Sequence, residues 1–256
     1  MIWIIGGTKD SRDILEKILE INKGSIIIST ATAYGGKILE GATWNNKDGN
    51  NIRILPERLN EAQMESLIRE NGIEMVIDAS HPYAQNVSKS VISVTKRMSV
   101  KYIRFERKML DYGIEKIKKF ETLEDLKEFV RTLEGKNILS TLGSNNISDI
   151  KEMGEKNNLY IRILPTVESI RKAEETGYLP SKIIALQGPV DKRLNKAMLE
   201  SYEIDYLITK ESGATGGEKE KIDACRETGV TVLVLKRPHI DYGIVYNDIE
   251  ELINNI

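Results

Sequence analysis

Short runs of β-branched and aliphatic residues alternate with amphipathic, charge-rich segments along the whole chain, and this alternation limits the fold more than any single motif does. A run of four or five such residues suits a strand covered on both faces. The segment after it, with apolar residues three and four apart, suits a helix laid across that sheet. Repeated units of this kind feed a parallel sheet. The pattern predicts strands at residues 2–5, 25–29, 75–78, 101–104, 137–140, 160–164, 182–186, 206–209 and 231–235. It predicts helices at residues 10–20, 60–70, 84–97, 123–133, 191–201 and 218–227. Nine or ten strands could make one wide sheet, but a charged stretch at residues 106–121 breaks the alternation near the middle. The expected architecture is therefore α/β, with two Rossmann-like lobes at residues 1–112 and 113–256. Each lobe carries a parallel sheet, and a cofactor cleft lies between them.

Composition narrows the class. A chain of 256 residues, 40% hydrophobic and 30% charged, can bury a sizeable core. No apolar run approaches the roughly 20 residues a membrane span needs, and the amino terminus lacks a signal-peptide pattern, so a cytoplasmic location is expected. The single cysteine, Cys225, excludes an internal disulfide, and no Cys/His set has metal-ligand spacing, so no metal is expected. A formal net charge of -2 gives no general electrostatic grip on nucleic acid or a membrane surface. An anionic ligand must then be held by local basic groups.

Several turns at predicted strand ends are suited to hold one. Gly6-Gly7-Thr8 joins the first strand to a helix, where backbone N–H groups and the positive helix end form a phosphate-sized anion site. The Gly-x-Gly-x-x-Gly fingerprint is absent, and a tight turn with Thr8 as N-cap is the alternative. Asp78-Ala79-Ser80-His81-Pro82-Tyr83 gathers polar side chains after another strand, and Pro82 holds His81 extended. His81 can donate a proton near neutral pH; the alternative makes Asp78 and Ser80 helix caps and His81 a structural hydrogen-bonder. Arg104 suits a phosphate or carboxylate, or an internal pair with Glu106. Thr141-Leu142-Gly143-Ser144, Pro165-Thr166 and Gln187-Gly188-Pro189 are further turns that expose backbone donors.

The stretch from Thr209 to Gly217 is richest. Lys210, Glu211, Ser212 and Gly213 open a glycine-rich loop that leads into Glu218-Lys219-Glu220-Lys221, and Lys236-Arg237-Pro238 ends the last strand. The loop suits a bulky, negatively charged ligand, yet it lacks the Gly-Lys-Ser/Thr order of a nucleotide-triphosphate loop. A solvated helix start with mutually offset charges is the alternative. An Ile-Arg-Ile-Leu-Pro pentapeptide at residues 52–56 recurs at 161–165. The surroundings do not align, and it reads as coincidence rather than duplication.

In order, these segments resemble the precorrin-6A and cobalt-precorrin-6A reductase family, over nearly the whole chain. The match runs through Gly6-Gly7-Thr8, Asp78 to Ala84, Arg104 to Arg107, Ile163 to Thr166, Gln187-Gly188-Pro189, Thr209 to Gly213 and Lys236-Arg237-Pro238. Ser80, Leu142 and Val190-Asp191 depart from the common pattern. The resemblance implies NADPH or NADH as cofactor and hydride transfer to a double bond of a tetrapyrrole, precorrin-6A or its cobalt form. It places the cofactor on Gly6, Gly7, Thr8, Ser80, Arg104, Gly143, Ser144 and Thr166. Substrate carboxylates fall to Lys210, Ser212, Lys221 and Arg237, and the rim of the reaction centre to His81 and Tyr83. A reductase of a smaller substrate, or a two-lobed sensor of an anionic metabolite, would carry the same turns and loop.

Overall fold

The computed structural model describes residues 1–21, 24–41, 51–110, 112–113, 115–213 and 216–256. The chain divides into two compact units: Met1–Lys108 together with His239–Ile256, and Met109–Pro238.

In the first unit β1 (Ile2–Ile5), β2 (Ile26–Ser29), β3 (Ile52–Leu55), β4 (Met75–Asp78), β5 (Lys101–Phe105) and β12 (Val245–Tyr246) form one sheet in the order β12-β5-β4-β1-β2-β3. Every neighbouring pair is parallel. The order reverses between β1 and β4, so the carboxyl ends of those two strands flank the crevice where sheets of this kind bind ligands. Strand period two fills both faces. Ile4, Ile26, Ile28, Ile77 and Ile103 pack with Ile14, Leu15 and Ile18 of α1 (Lys9–Glu20) and with Leu252 and Ile253 of α10 (Ile249–Asn254). Trp3, Ile5, Ile27 and Val76 pack with Met64, Leu67 and Ile68 of α3 (Glu61–Asn71) and with Val91 and Val94 of α4 (Gln85–Met98).

In the second unit β6 (Ile117–Phe120), β7 (Asn137–Ser140), β8 (Asn158–Ile163), β9 (Ile183–Ala185), β10 (Tyr206–Lys210) and β11 (Thr231–Leu235) lie in the order β6-β11-β10-β7-β8-β9, again parallel throughout. Leu139, Leu207, Val232 and Val234 face Leu199 of α8 (Lys192–Ser201) and Ile222, Ala224 and Cys225 of α9 (Glu218–Thr228). The other face is covered by α5 (Leu123–Arg131) and α6 (Ile147–Met153), with α7 (Val167–Glu175) beside β9.

The structure corrects the expected division at residue 112. The amino-terminal unit ends at Lys108 and is completed by the last eighteen residues, His239–Ile256. The cause is strand pairing: β12 hydrogen-bonds beside β5, with Arg104 and Glu106 donating backbone N–H to Ile244 and Tyr246 at 2.9 Å each. Each unit thus takes its sixth strand from outside the regular alternation, β12 from the end of the chain and β6 from the charged stretch ahead of β7. The pentapeptide lies in β3, at the edge of one sheet, and at the end of β8, one strand inside the other. These positions are not equivalent, so the repeat marks no duplication.

Candidate functional site

At the carboxyl edge of the first unit, Gly6 donates its N–H to Ser29 O at 2.7 Å. Gly7 then turns the chain with φ +96°, and a Cβ placed on Gly7 would meet nothing within 4 Å. Only glycine enters that region at low cost. Thr8 is buried and caps α1: its Oγ1 accepts from Ser11 N at 3.1 Å and donates to the Ala79 carbonyl at 2.8 Å. The Thr8 hydroxyl is therefore occupied within the fold, and what the turn offers a ligand is its backbone, the open side of Gly7 and the positive end of α1.

Asp78, Ser80 and Arg104 form a closed network. Asp78 is 0% exposed; its Oδ1 accepts from Arg104 Nη1 at 2.8 Å and from Ser80 N at 3.0 Å, its Oδ2 from Ser88 Oγ at 2.6 Å and Tyr102 OH at 2.9 Å. Arg104, also 0% exposed, donates Nε to Glu106 at 2.8 Å and Nη1 to Ser80 Oγ at 3.1 Å, with the Tyr242 ring 4.9 Å from its guanidinium carbon. Burial works against the Arg104 charge, but Asp78 and Glu106 outweigh it and keep the guanidinium protonated. Burial and the Asp78 charge hold the Tyr102 phenol above its ordinary range. The expected cofactor contacts of Ser80 and Arg104 are thus corrected: both side chains are spent on a buried network that ties β4 to β5. His81 stands outside it. Its ring is exposed, its Nδ1 accepts from Tyr83 N at 3.3 Å, and the two rings sit 5.8 Å apart.

In the second unit Gly143 makes the matching turn after β7, with φ +82° and nothing within 4 Å of an added Cβ. A short 3-10 turn, Ser144–Asn146, follows and leads into α6. Thr166 caps α7 through Ser169 N at 3.2 Å, and hydroxyls run from Thr166 to Ser169 at 2.9 Å and on to Ser144 at 3.3 Å. Lys210, at the end of β10, donates to Asn146 Oδ1 at 3.2 Å. The fold therefore brings Gly143, Ser144, Thr166 and Lys210 together on the α5–α6 side of the sheet.

Lys221 does not join them. It is 5% exposed on α9 and donates to Thr209 Oγ1 at 2.6 Å, on the opposite face of β10 from Lys210. The expectation that both lysines share one pocket fails because adjacent strand residues point to opposite faces. Ser212 is buried, and Arg237 donates Nε to the Glu211 carbonyl at 2.9 Å. The loop is also less cationic than its lysines suggested. Glu218, 0% exposed, accepts from Gly213 N at 2.6 Å and from Tyr112 OH, while buried Glu211 accepts from Arg237 N at 3.3 Å. Positions 214 and 215 of the loop fall outside the described residues.

Burial pushes Lys210 down to about 8. Burial, reinforced by the Arg162 charge and opposed by Glu218, pushes Lys221 to about 8 as well. Arg162, Asn146 and Ser169 were not singled out from sequence. An arginine inside the otherwise aliphatic run of β8 was the available signal for the first; nothing marks the other two. Among the described residues no helix is long and apolar enough to cross a membrane, and no three His, Cys, Asp or Glu cluster to hold a metal.

Two doubly wound sheets, each with an open left-handed glycine turn at a carboxyl edge, define a two-unit α/β protein of the Rossmann-like class with ligand-binding strand ends. The family described as "Precorrin-6x reductase CbiJ/CobK" matches residues 1–256, and the chain belongs to that family. It is 35% identical to the cobalt-precorrin-6A reductase of Methanocaldococcus jannaschii over 100% of this chain and 97% of that one. It is 34% identical to the cobalt-precorrin-6A reductase of Methanococcus maripaludis over 99% and 97%. The solved structure of CobK precorrin-6A reductase superposes with a TM-score of 0.76 at 19% identity, covering 99% of this chain and 94% of that one, which shows the shared fold. The chain is accordingly an oxidoreductase, a precorrin-6 reductase of cobalamin biosynthesis.

Proposed function

We propose that the chain reduces a ring double bond of cobalt-precorrin-6A, with a nicotinamide dinucleotide held on the Gly6-Gly7 and Gly143-Ser144 turns. The observation that carries the cofactor reading is the pair of glycines. Gly7 and Gly143 have φ of +96° and +82° and nothing within 4 Å on the side a Cβ would fill. Each turn leaves backbone accessible to a phosphate at the edge where such sheets bind nucleotides. When bound, the dinucleotide supplies the hydride. The chain's own residues bind, orient and protonate. The positive end of α1 faces negative charge at Gly7. Ser144, Thr166 and Ser169 present linked hydroxyls, with Lys210 beside them. Lys210 and Arg237 sit at the same strand ends and suit acetate or propionate carboxylates of the macrocycle. His81, exposed next to Tyr83, suits delivery of the proton that completes the reduction.

The cobalt form is favoured because relatives named for it match this chain at 27% to 35% identity. Those named precorrin-6A reductase match at 22% and 23% over 67% and 71% of it. The test is oxidation of NADPH and of NADH, followed by loss of reduced-nicotinamide absorbance, on adding cobalt-precorrin-6A or the metal-free ring. Faster turnover of the cobalt form is expected. Preference for the metal-free ring overturns the substrate assignment, and binding without oxidation turns the protein into a sensor.

A further inference from the structure

On the α8–α9 face of the second unit, two cations stand together with no carboxylate partner. Arg162 is the fifth residue of β8, on the same face as Tyr160, which stacks with Tyr202 at 4.9 Å. Its Nη1 donates to Asn195 Oδ1 at 2.9 Å. Asn195 is itself pinned, donating Nδ2 to the Val190 and Asp191 carbonyls at 3.1 and 3.0 Å, so the guanidinium is held in one orientation by a residue that is 5% exposed. Lys221 approaches from α9, anchored on Thr209. The two are close enough for the Arg162 charge to disfavour the charge on Lys221. Among the described residues no carboxylate lies within 4.0 Å of either. The nearest acids do not serve: Glu218 is engaged by Tyr112 and Gly213, and Glu220 makes no ion pair there.

Buried cations are ordinarily paired, because an unpaired charge out of water is costly. Two of them side by side raise that cost further. A guanidinium also carries five N–H donors in a fork that fits an oxyanion through two parallel bonds. Only one donor is spent, on Asn195, and none of the remaining nitrogens is sealed from solvent. The site lacks an anion, not a donor.

We propose that Arg162 and Lys221, oriented by Asn195 and Thr209, form an oxyanion site that anchors one negatively charged group of a reaction partner. The fitting chemistry is a carboxylate of the tetrapyrrole or a phosphate of the dinucleotide. This rests on the reductase reading for its partners, but not for its anion chemistry.

The experiment separates the two. Thermal unfolding of the full chain with inorganic phosphate or tricarballylate reads the site without any turnover. Wild type is expected to be stabilised in proportion to anion concentration, with that gain largely lost in Arg162→Gln and partly kept in Arg162→Lys. Turnover then identifies the source. A ten- to hundredfold rise in KM for the tetrapyrrole at unchanged dinucleotide affinity assigns a substrate carboxylate. Weakened NADPH binding at unchanged tetrapyrrole KM assigns a cofactor phosphate. Equal anion stabilisation of wild type and a folded Arg162→Gln protein overturns the proposal, and so do unchanged KM and affinity. Absence of turnover in wild type, with the anion response intact, would defeat the reductase reading alone.

Discussion

Burying a lysine costs most while it is charged, and this gives Lys210 a pH signature. Its pKa falls from 10.5 to about 8 in the folded chain. The unfolded chain therefore holds the extra proton between those values, and stability rises with pH across that window; below about 8 both states are charged and the penalty is present in full. Binding runs the other way, because an anion needs the ammonium. Tetrapyrrole or dinucleotide affinity is expected to fall as pH climbs through about 8, and Lys210→Met should flatten that fall while raising KM roughly ten- to a hundredfold. A pH profile unchanged in Lys210→Met removes Lys210 from the binding site. Gly7 allows a similar separation of roles. Gly7→Ala strains a φ of +96°, at a cost of about 1 to 2 kcal/mol, and also fills the open side of the turn. Gly72, φ +58°, ends α3 with the same open surroundings but away from the site, so Gly72→Ala should share the stability loss alone. Dinucleotide affinity measured on both variants should drop at least tenfold only for Gly7→Ala.

Between elements, the Asp78–Arg104 pair joins β4 to β5 where both side chains are fully buried. Replacing Arg104 by Met leaves the Asp78 carboxylate with its three other donors but no countercharge, which should destabilise the first unit by about 3 to 5 kcal/mol. Denaturation followed by hydrogen exchange checks this: slow amides of β4 and β5 should become fast while those of β7 and β10 keep their rates. The pair also explains why the sequence was read well for elements and poorly for roles. Fully aliphatic runs such as Ile26–Ser29 and Tyr206–Lys210 revealed central strands because both their faces are buried. Ile117–Phe120 escaped notice because its two lysines face solvent at a sheet edge, where charge protects an exposed strand. Two-residue β12 offers no period to read. The glycine turns were legible because their geometry is local. Arg104 was misassigned because its partners come from β4, and its burial is a property of the sheet rather than of its neighbours in sequence.

At the scale of the whole chain, the last eighteen residues belong to the unit that began the fold. β12 covers the β5 edge, and α10 sets Leu252 at 0% and Ile253 at 8% exposure against the α1 face of the first sheet. Lys101 adds a bond from its ammonium to the Asn255 carbonyl at 3.1 Å, and Lys17 of α1 pairs with Glu250 at 3.2 Å. Removing residues 239–256 would expose that β5 edge and return both apolar side chains to water, at about 1.5 to 3 kcal/mol each. The sixth strand of the second unit, β6, lies upstream of the cut and stays in place. A chain ending at Pro238 is therefore expected to lose protection from proteolysis and hydrogen exchange in β1, β4 and β5, with the second unit's β7, β10 and β11 still protected. Tyr242, whose ring covers Arg104, goes with the deleted segment, so the Asp78 network should loosen first. Uniform loss of protection in both units would show that they unfold as one, and unchanged protection of β5 would show that the carboxyl-terminal strand contributes nothing to the sheet it completes.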